Sequence, residues 1–153
     1  MQEYSHAAFQ VAGYKVTITN PKDAQNIIQG AWQRFISEES IKKVEHKAYP
    51  HVHVIYYNYH DIGNFEQFGY DMLLGFVIEE GTAQSNPQVV TVQIPAQDYK
   101  FCKVEGDLRE TLQIEWAKIN RLPISELDRD YGYDMNMYSE DNKTCTIAVS
   151  VNK

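Results

Sequence analysis

One order of elements occurs twice in this chain, and it constrains the fold more than any other feature. Each half reads as a strand, a helix and two further strands, and each helix carries one tryptophan on its apolar stripe, Trp32 in the first and Trp116 in the second. An amphipathic helix needs another element to cover its apolar stripe. The sequence therefore predicts an α+β fold of two tandem β-α-β-β repeats, over about residues 11–80 and 89–153 of one domain. These repeats should form a curved antiparallel sheet with both helices on one face.

Capping residues mark where both helices begin. Asn20 is a favourable cap, and Pro21 a favourable first residue, for a helix that runs to about Ser37. Asp107 opens the second helix as the first residue of a capping-box pattern. Pro123 ends this helix because proline disfavours a helical conformation in the residue before it.

Alternating polarity predicts the strands, which we place at 11–19, 51–60, 70–79, 89–104 with a bend at Ile94-Pro95-Ala96, 133–138 and 144–151. Strict alternation along 51–60 puts Tyr57 and Tyr59 on one face and Tyr56 on the other. Two glycines lie inside predicted elements. We interpret Gly75 as a bulge or a point of close approach, and Gly30, in the first helix, as close packing against a neighbouring element.

Charge and hydropathy exclude several classes of partner. The net charge is −7 and no basic stripe exists, whereas binding to phosphates requires clustered lysines and arginines, so we expect no nucleic acid partner. No segment has the roughly 20 apolar residues that span a bilayer, and the N-terminal segment lacks the pattern of a signal peptide. We therefore expect a cytoplasmic protein that does not bind membranes and is a monomer or a weak dimer.

Cysteines and histidines are the other candidates for chemistry. Cys102 and Cys145 lie in strand-like segments, where thiols in a reducing compartment are far more often apolar fillers than disulfide or catalytic partners. Lysines lie near both, so activation of the thiols stays an alternative. His51 and His53 share a strand face at a spacing that metals can use, but the missing third ligand favours solvent-facing or hydrogen-bonded rings. We predict no metal and no cofactor.

The strand at 133–138 places Asp134, Asn136 and Tyr138 on one face. The chain has 11 tyrosines, whose flat rings suit a binding pocket as well as a core. Asp134 is either a surface carboxylate on a half-exposed strand or a partly buried acid that attracts a cation beside aromatic rings. Trp32 and Trp116 are favoured as core anchors, although their edges can still line a cleft.

Short motifs recur in a characteristic order along nearly the whole chain. The first half has Asn20-Pro21, Trp32 with Phe35, Tyr56 to Tyr59, and Leu74-Gly75; the second has Ile94-Pro95-Ala96, Tyr99, Gly106, Trp116 with Ile119, and Asp134 to Tyr138. In these motifs and their order the chain resembles the GyrI-like, or AraC-type effector-binding, superfamily.

The resemblance implies a fold of two β-α-β-β repeats with a ligand cleft between them. The superfamily includes effector domains of multidrug-sensing transcription regulators and free-standing proteins that bind hydrophobic or cationic compounds. In the regulators the fold is joined to a helix-turn-helix domain; no segment here is left to form one, so we expect no direct DNA binding. Members commonly carry a glutamate two residues before the tyrosine that matches Tyr138. This chain has Asn136 there, and Asp134 on the same face would have to stand in for the glutamate.

The resemblance and the residues together predict a cytosolic protein that holds flat, hydrophobic, cationic small molecules in an aromatic cleft between the repeats. The predicted ligand-binding residues are Tyr14, Trp32, Tyr56, Glu115, Trp116, Asp134, Asn136 and Tyr138. One alternative is a slow hydrolase that uses the same cleft, with Glu115, Asp134 and Tyr138 as candidates because such chemistry needs an acid and a tyrosine poised together. Another is an interaction module whose cleft receives a peptide.

Overall fold

The computed structural model describes residues 1–152, which form eight strands and four helices. The strands are β1 (Gln2–His6), β2 (Phe9–Ile18), β3 (His53–His60), β4 (Gly69–Ile78), β5 (Val90–Ile94), β6 (Gln97–Glu105), β7 (Asp134–Tyr138) and β8 (Thr144–Val151). The helices are α1 (Pro21–Ser37), α2 (Ser40–Lys43), α3 (Leu108–Arg121) and α4 (Ile124–Leu127). Lys153, the last residue of the predicted second repeat, lies outside the described residues.

The strands form one antiparallel sheet in the order β1-β6-β8-β7-β3-β4-β2-β5. The first repeat is β2-α1-β3-β4 and the second is β6-α3-β7-β8, and they meet where β3 pairs with β7. The predicted fold is therefore confirmed. The short strand that precedes each repeat pairs with a strand of the other repeat, since β1 pairs with β6 and β5 pairs with β2.

Both faces of the sheet are buried, but by different means. Side chains of α1 and α3 join the two clusters on one face, which meet at Tyr138. On the opposite face Ile55, Leu73 and Tyr99 are fully buried, although no helix residue whose side chain the structure describes joins their cluster. Because that cluster contains residues from strands at both ends of the sheet, the sheet must curve over its own face to exclude water.

The two long helices begin differently. The side chain of Asn20 accepts a hydrogen bond from the backbone N–H of Asp23 at 3.0 Å, so the predicted cap of α1 is confirmed. The capping-box prediction for α3 is wrong, because the Asp107 side chain makes no capping bond. The Asp107 backbone carbonyl instead accepts from Glu110 and Thr111. Among the described residues, no helix has the length and apolar character that crossing a membrane requires.

The two glycines that we singled out have opposite environments. Gly75 of β4 pairs with Gly13 of β2, and a Cβ added at Gly75 would lie 2.1 Å from the backbone oxygen of Ala12. This confirms a close approach of the two backbones at this point. The interpretation of Gly30 is wrong, because a Cβ there would meet nothing within 4 Å.

Replacing Gly75 with Ala is expected to lower the free energy of unfolding by about 1–3 kcal/mol, because the new methyl group collides with backbone that cannot rotate away. Gly30→Ala is the matched control: it should raise the same quantity by about 0.5–1 kcal/mol, since it adds a better helix former in open space. Urea unfolding of both variants measures the difference. Equal stability of the two variants would contradict the close approach at Gly75.

Candidate functional site

The central strands and the two long helices bring six side chains together on the helix-covered face, and we call this group the aromatic cluster. It consists of Trp32, Tyr56, Tyr70, Trp116, Asn136 and Tyr138. Trp32 of α1 contacts Tyr138 edge to face at 5.5 Å between ring centroids, and Tyr56 contacts Trp116 in the same way at 5.5 Å. All five rings are half-buried, so they are neither sealed in the core nor on the open surface. Both repeats are therefore needed to build the cluster.

Asn136 ties the two sides of the aromatic cluster together. It is 3% exposed, and its Oδ1 accepts a hydrogen bond from the indole N–H of Trp116 at 2.9 Å. Its Nδ2 then faces the hydroxyl oxygen of Tyr56, to which it donates at 3.1 Å. The indole nitrogen can only donate, so these two contacts fix the orientation of the amide.

The ionisable rings of the cluster are neutral at physiological pH. Burial raises the pKa of Tyr56, of Tyr70 and of Tyr138 above the usual value for a tyrosine. The other members, two indoles and an amide, carry no charge. The aromatic cluster is therefore apolar in its walls and polar only at hydroxyl, amide and indole N–H groups.

A bulge in β3 changes the side to which one tyrosine points. Asn58 has a positive φ of 52°, a conformation that asparagine tolerates better than most residues, and the pairing of β3 with β4 shifts between Tyr57 and His60. Tyr57 stays on the face away from the helices, whereas Tyr59 contacts the ring of Tyr70 at 5.7 Å on the helix-covered face. The prediction that Tyr57 and Tyr59 share a face is wrong, because strict alternation does not survive the inserted residue.

Asp134 is fully buried at the end of the aromatic cluster. Its Oδ2 accepts from the Arg129 guanidinium at 2.8 Å and from the Tyr59 hydroxyl at 2.6 Å, and its Oδ1 accepts from the backbone N–H of Ser150 at 2.8 Å. The surface-carboxylate interpretation is therefore wrong. A ligand-contacting role for Asp134 stays a prediction, and the protein itself supplies partners for both of its oxygens.

Arg129 completes this arrangement as a buried counter-charge, 8% exposed. Burial alone would lower the pKa of Arg129, but the neighbouring Asp134 carboxylate outweighs burial and raises it. Burial and the same carboxylate raise the pKa of Tyr59. Arg129 also donates to the Asn120 side chain on α3 at 2.9 Å. The ion pair therefore fastens the end of α3 to the central strands.

A family model described as Cass2, integron-associated effector binding protein, matches residues 5–151 of the chain. The chain belongs to the Cass2 family. The resemblance to the GyrI-like effector-binding superfamily is thereby confirmed. A search of curated proteins finds no match to this Cass2 chain.

Several solved structures share this fold, and three of them are 15–19% identical to the chain. An integron cassette protein from the mobile metagenome of Vibrio cholerae is 19% identical with a TM-score of 0.75, and the match covers 99% of this chain and 95% of the other. SAV2435, solved with bound tetraphenylphosphonium, is 15% identical with a TM-score of 0.79 over 99% and 93%. A Staphylococcus aureus MU50 protein named for bacterial transcription regulation is 16% identical with a TM-score of 0.73 over 99% and 97%.

Two residues on the predicted list lie apart from the aromatic cluster of this Cass2 protein. Glu115 pairs with Lys118 at 3.3 Å, and consecutive helical residues are turned by about 100°, so its side chain points in a different direction from that of Trp116. Tyr14 packs under α1, 6.5 Å from the ring of Phe35. Its buried hydroxyl has no hydrogen-bond partner among the described residues.

The geometry expected of a hydrolase is not formed by the candidate residues. Asp134 and Tyr138 lie four residues apart on the same strand, which corresponds to about 13 Å along β7. Glu115 is paired with Lys118, and both Asp134 oxygens already accept protein hydrogen bonds. No pair of acid and tyrosine poised on one substrate arises from these three residues.

The two cysteines and His53 are part of the packed structure and show no sign of a chemical role. Cys145 is 1% exposed, and burial raises its pKa to about 12; burial and then Glu115 raise the pKa of Cys102, so neither thiol is activated. The interpretation as apolar fillers is thus confirmed for Cys145. His53 is 8% exposed and its Nδ1 donates to the backbone carbonyl of His51 at 3.2 Å. Burial lowers the pKa of His53 to about 4.

Two open grooves lie along the β1 edge of the sheet. Their volumes are about 450 and 240 Å³, and both are lined by Glu3 and Lys100. Tyr4 and Tyr99 border the larger groove, but their rings belong to the cluster on the face away from the helices. These grooves contain none of the predicted site residues and lack the aromatic walls of the cluster between α1 and α3.

Proposed function

We propose that this protein binds hydrophobic small molecules with flat aromatic rings, lipophilic organic cations among them, in the aromatic cluster between α1 and α3. The observation that carries the proposal is the set of half-buried rings from both repeats that surrounds one hydrogen-bonded amide, Asn136. Ligand sites of this kind have mostly apolar walls and a few fixed polar groups. Membership of an effector-binding family and the tetraphenylphosphonium bound to SAV2435 support the same proposal.

Binding requires that some rings separate. Trp32 and Tyr138 are in edge contact, and so are Tyr56 and Trp116, each pair with centroids 5.5 Å apart. A flat ligand needs about 3.5–4 Å from carbon atoms on both of its sides, so it cannot enter either pair as it stands. The indole of Trp32 or Trp116 must therefore turn away, or its helix must shift outward. In both cases the surroundings of a tryptophan change, and its fluorescence should report the binding.

We predict that Trp116→Ala weakens binding of tetraphenylphosphonium about 30-fold, which corresponds to about 2 kcal/mol, because a tryptophan that covers a ligand is the kind of side chain that dominates a binding site. The measurement is calorimetric titration at fixed salt, together with a thermal melt to show that the variant is folded.

Phe65→Ala is the matched control, because Phe65 is 93% exposed on the loop between β3 and β4. Its loss should leave the dissociation constant unchanged. A similar weakening by both substitutions, or full affinity in Trp116→Ala, would count against the aromatic cluster as the binding site.

A further inference from the structure

The aromatic cluster lacks an uncompensated negative charge. Asp134 is the carboxylate on the same face of β7 as Asn136 and Tyr138, and its partner Arg129 lies 2.8 Å away with both side chains buried. The pair is net neutral, and Tyr59 donates a further hydrogen bond to the carboxylate. A ligand in the cluster would therefore meet a balanced ion pair rather than a free anion.

The polar centre of the cluster is better matched to a neutral group. Asn136 uses its Oδ1 on Trp116 and its Nδ2 on Tyr56. The Tyr56 hydroxyl accepts from Asn136, and its own proton donates to no acceptor among the described residues. An O–H group in this position can donate to an acceptor oxygen on a ligand.

We infer that the aromatic cluster selects ligands by shape and hydrogen bonding rather than by charge. It takes neutral aromatic compounds that carry an acceptor oxygen about as well as cations of the same shape, and Asn136 is the residue that sets this lack of charge preference. The inference rests on the proposed function and names the ligand class of the same site.

Opposing contributions of similar size underlie this balance. A cation over the ring faces is attracted by the electrons of the rings. It also loses hydration on entering a half-buried site that offers no free counter-charge. A neutral ligand avoids most of that loss and gains a hydrogen bond to Tyr56. The two classes should therefore bind with dissociation constants within about threefold of each other.

The test uses methyltriphenylphosphonium and triphenylphosphine oxide, which both carry three phenyl groups on phosphorus. The fourth substituent is a methyl group in the phosphonium, which is a cation, and an oxygen in the oxide, which is neutral. Calorimetric titrations should give dissociation constants within about threefold for the unmodified protein. In Asn136→Asp the carboxylate can still accept from Trp116, and the Tyr56 hydroxyl can rotate to donate to it, so the shape is kept while a charge is added. The ratio of the two affinities should then shift about tenfold towards the cation, which is about 1.4 kcal/mol.

A second variant keeps the test independent of how well Asn136→Asp folds. Tyr56→Phe retains the ring and removes the donor, so it should weaken binding of the oxide about threefold to tenfold and leave the phosphonium nearly unchanged. A tenfold preference of the unmodified protein for the phosphonium would overturn this inference alone. An unchanged ratio in Asn136→Asp would overturn the role of Asn136. Failure of both ligands to bind the unmodified protein would overturn the proposed function together with the inference.

Discussion

Asp134→Asn is expected to lower the free energy of unfolding by about 3–5 kcal/mol, because it leaves the Arg129 guanidinium buried without its counter-charge. A second effect adds to the loss of the ion pair. Whichever way the new amide turns, its NH2 group faces a donor, either the Arg129 Nη2 or the Ser150 backbone N–H. Urea unfolding followed by circular dichroism measures the loss.

The double variant Asp134→Asn with Arg129→Met tests the cause of that loss. It removes both buried charges, so it should be more stable than the single variant although it has one more substitution. Glu66→Gln, a change of an exposed carboxylate, serves as the control and should alter stability by less than about 0.5 kcal/mol. If the double variant is no more stable than the single one, the buried charge of Arg129 is not the reason.

Acid should destabilise the protein through His53. Burial lowers the pKa of this imidazole from 6.5 to about 4, and positive charge on His51 or His6 would lower it further, whereas the His51 carbonyl opposes the shift. The folded state therefore favours the neutral ring. The resulting stability is fully present above pH 6.5 and is lost as the pH falls towards 4, because the unfolded chain binds the proton first. The loss from this one group reaches about 3 kcal/mol.

His53→Gln removes the titration and retains a side-chain donor near the His51 carbonyl. Unfolding free energies at pH 7, 6, 5 and 4 should fall less steeply in this variant than in the unmodified protein. His46→Gln changes an exposed histidine that does not contribute to the shift of His53, and it should leave the slope unchanged. Parallel pH profiles for His53→Gln and the unmodified protein would show that the group is not buried in the neutral form.

Local signals account for the elements that the sequence predicts well. Asn20 and Pro21 define the start of α1, and the alternation at 144–151 corresponds to β8 (Thr144–Val151). Pro95 separates β5 from β6 at the predicted bend. β1 was not predicted, because QEYSH is short and mostly polar, as suits a strand at the edge of a sheet. Its place depends on pairing with β6, about 95 residues away along the chain, which no local pattern encodes.

The site shows the same division between local and distant signals. Alternation along β7 correctly puts Asn136 and Tyr138 on one face, because β7 has no bulge, and the structure shows that this is the helix-covered face. No sequence pattern indicates a role for Arg129, because it lies in an irregular segment and its role depends on Asp134 coming within reach in the folded chain. Glu115 directly precedes Trp116, and the turn of about 100° between consecutive helical residues puts the two on different flanks.

The bulge at Asn58 has a consequence for comparing related sequences. One extra residue acts as a phase shift along β3, so every position after it changes side relative to the positions before it. A relative without the insertion must be aligned with a gap at this point. Without that gap, Tyr59 would be equated with a residue on the opposite side of the sheet, and the donor that it supplies to Asp134 would be sought one position from where it lies.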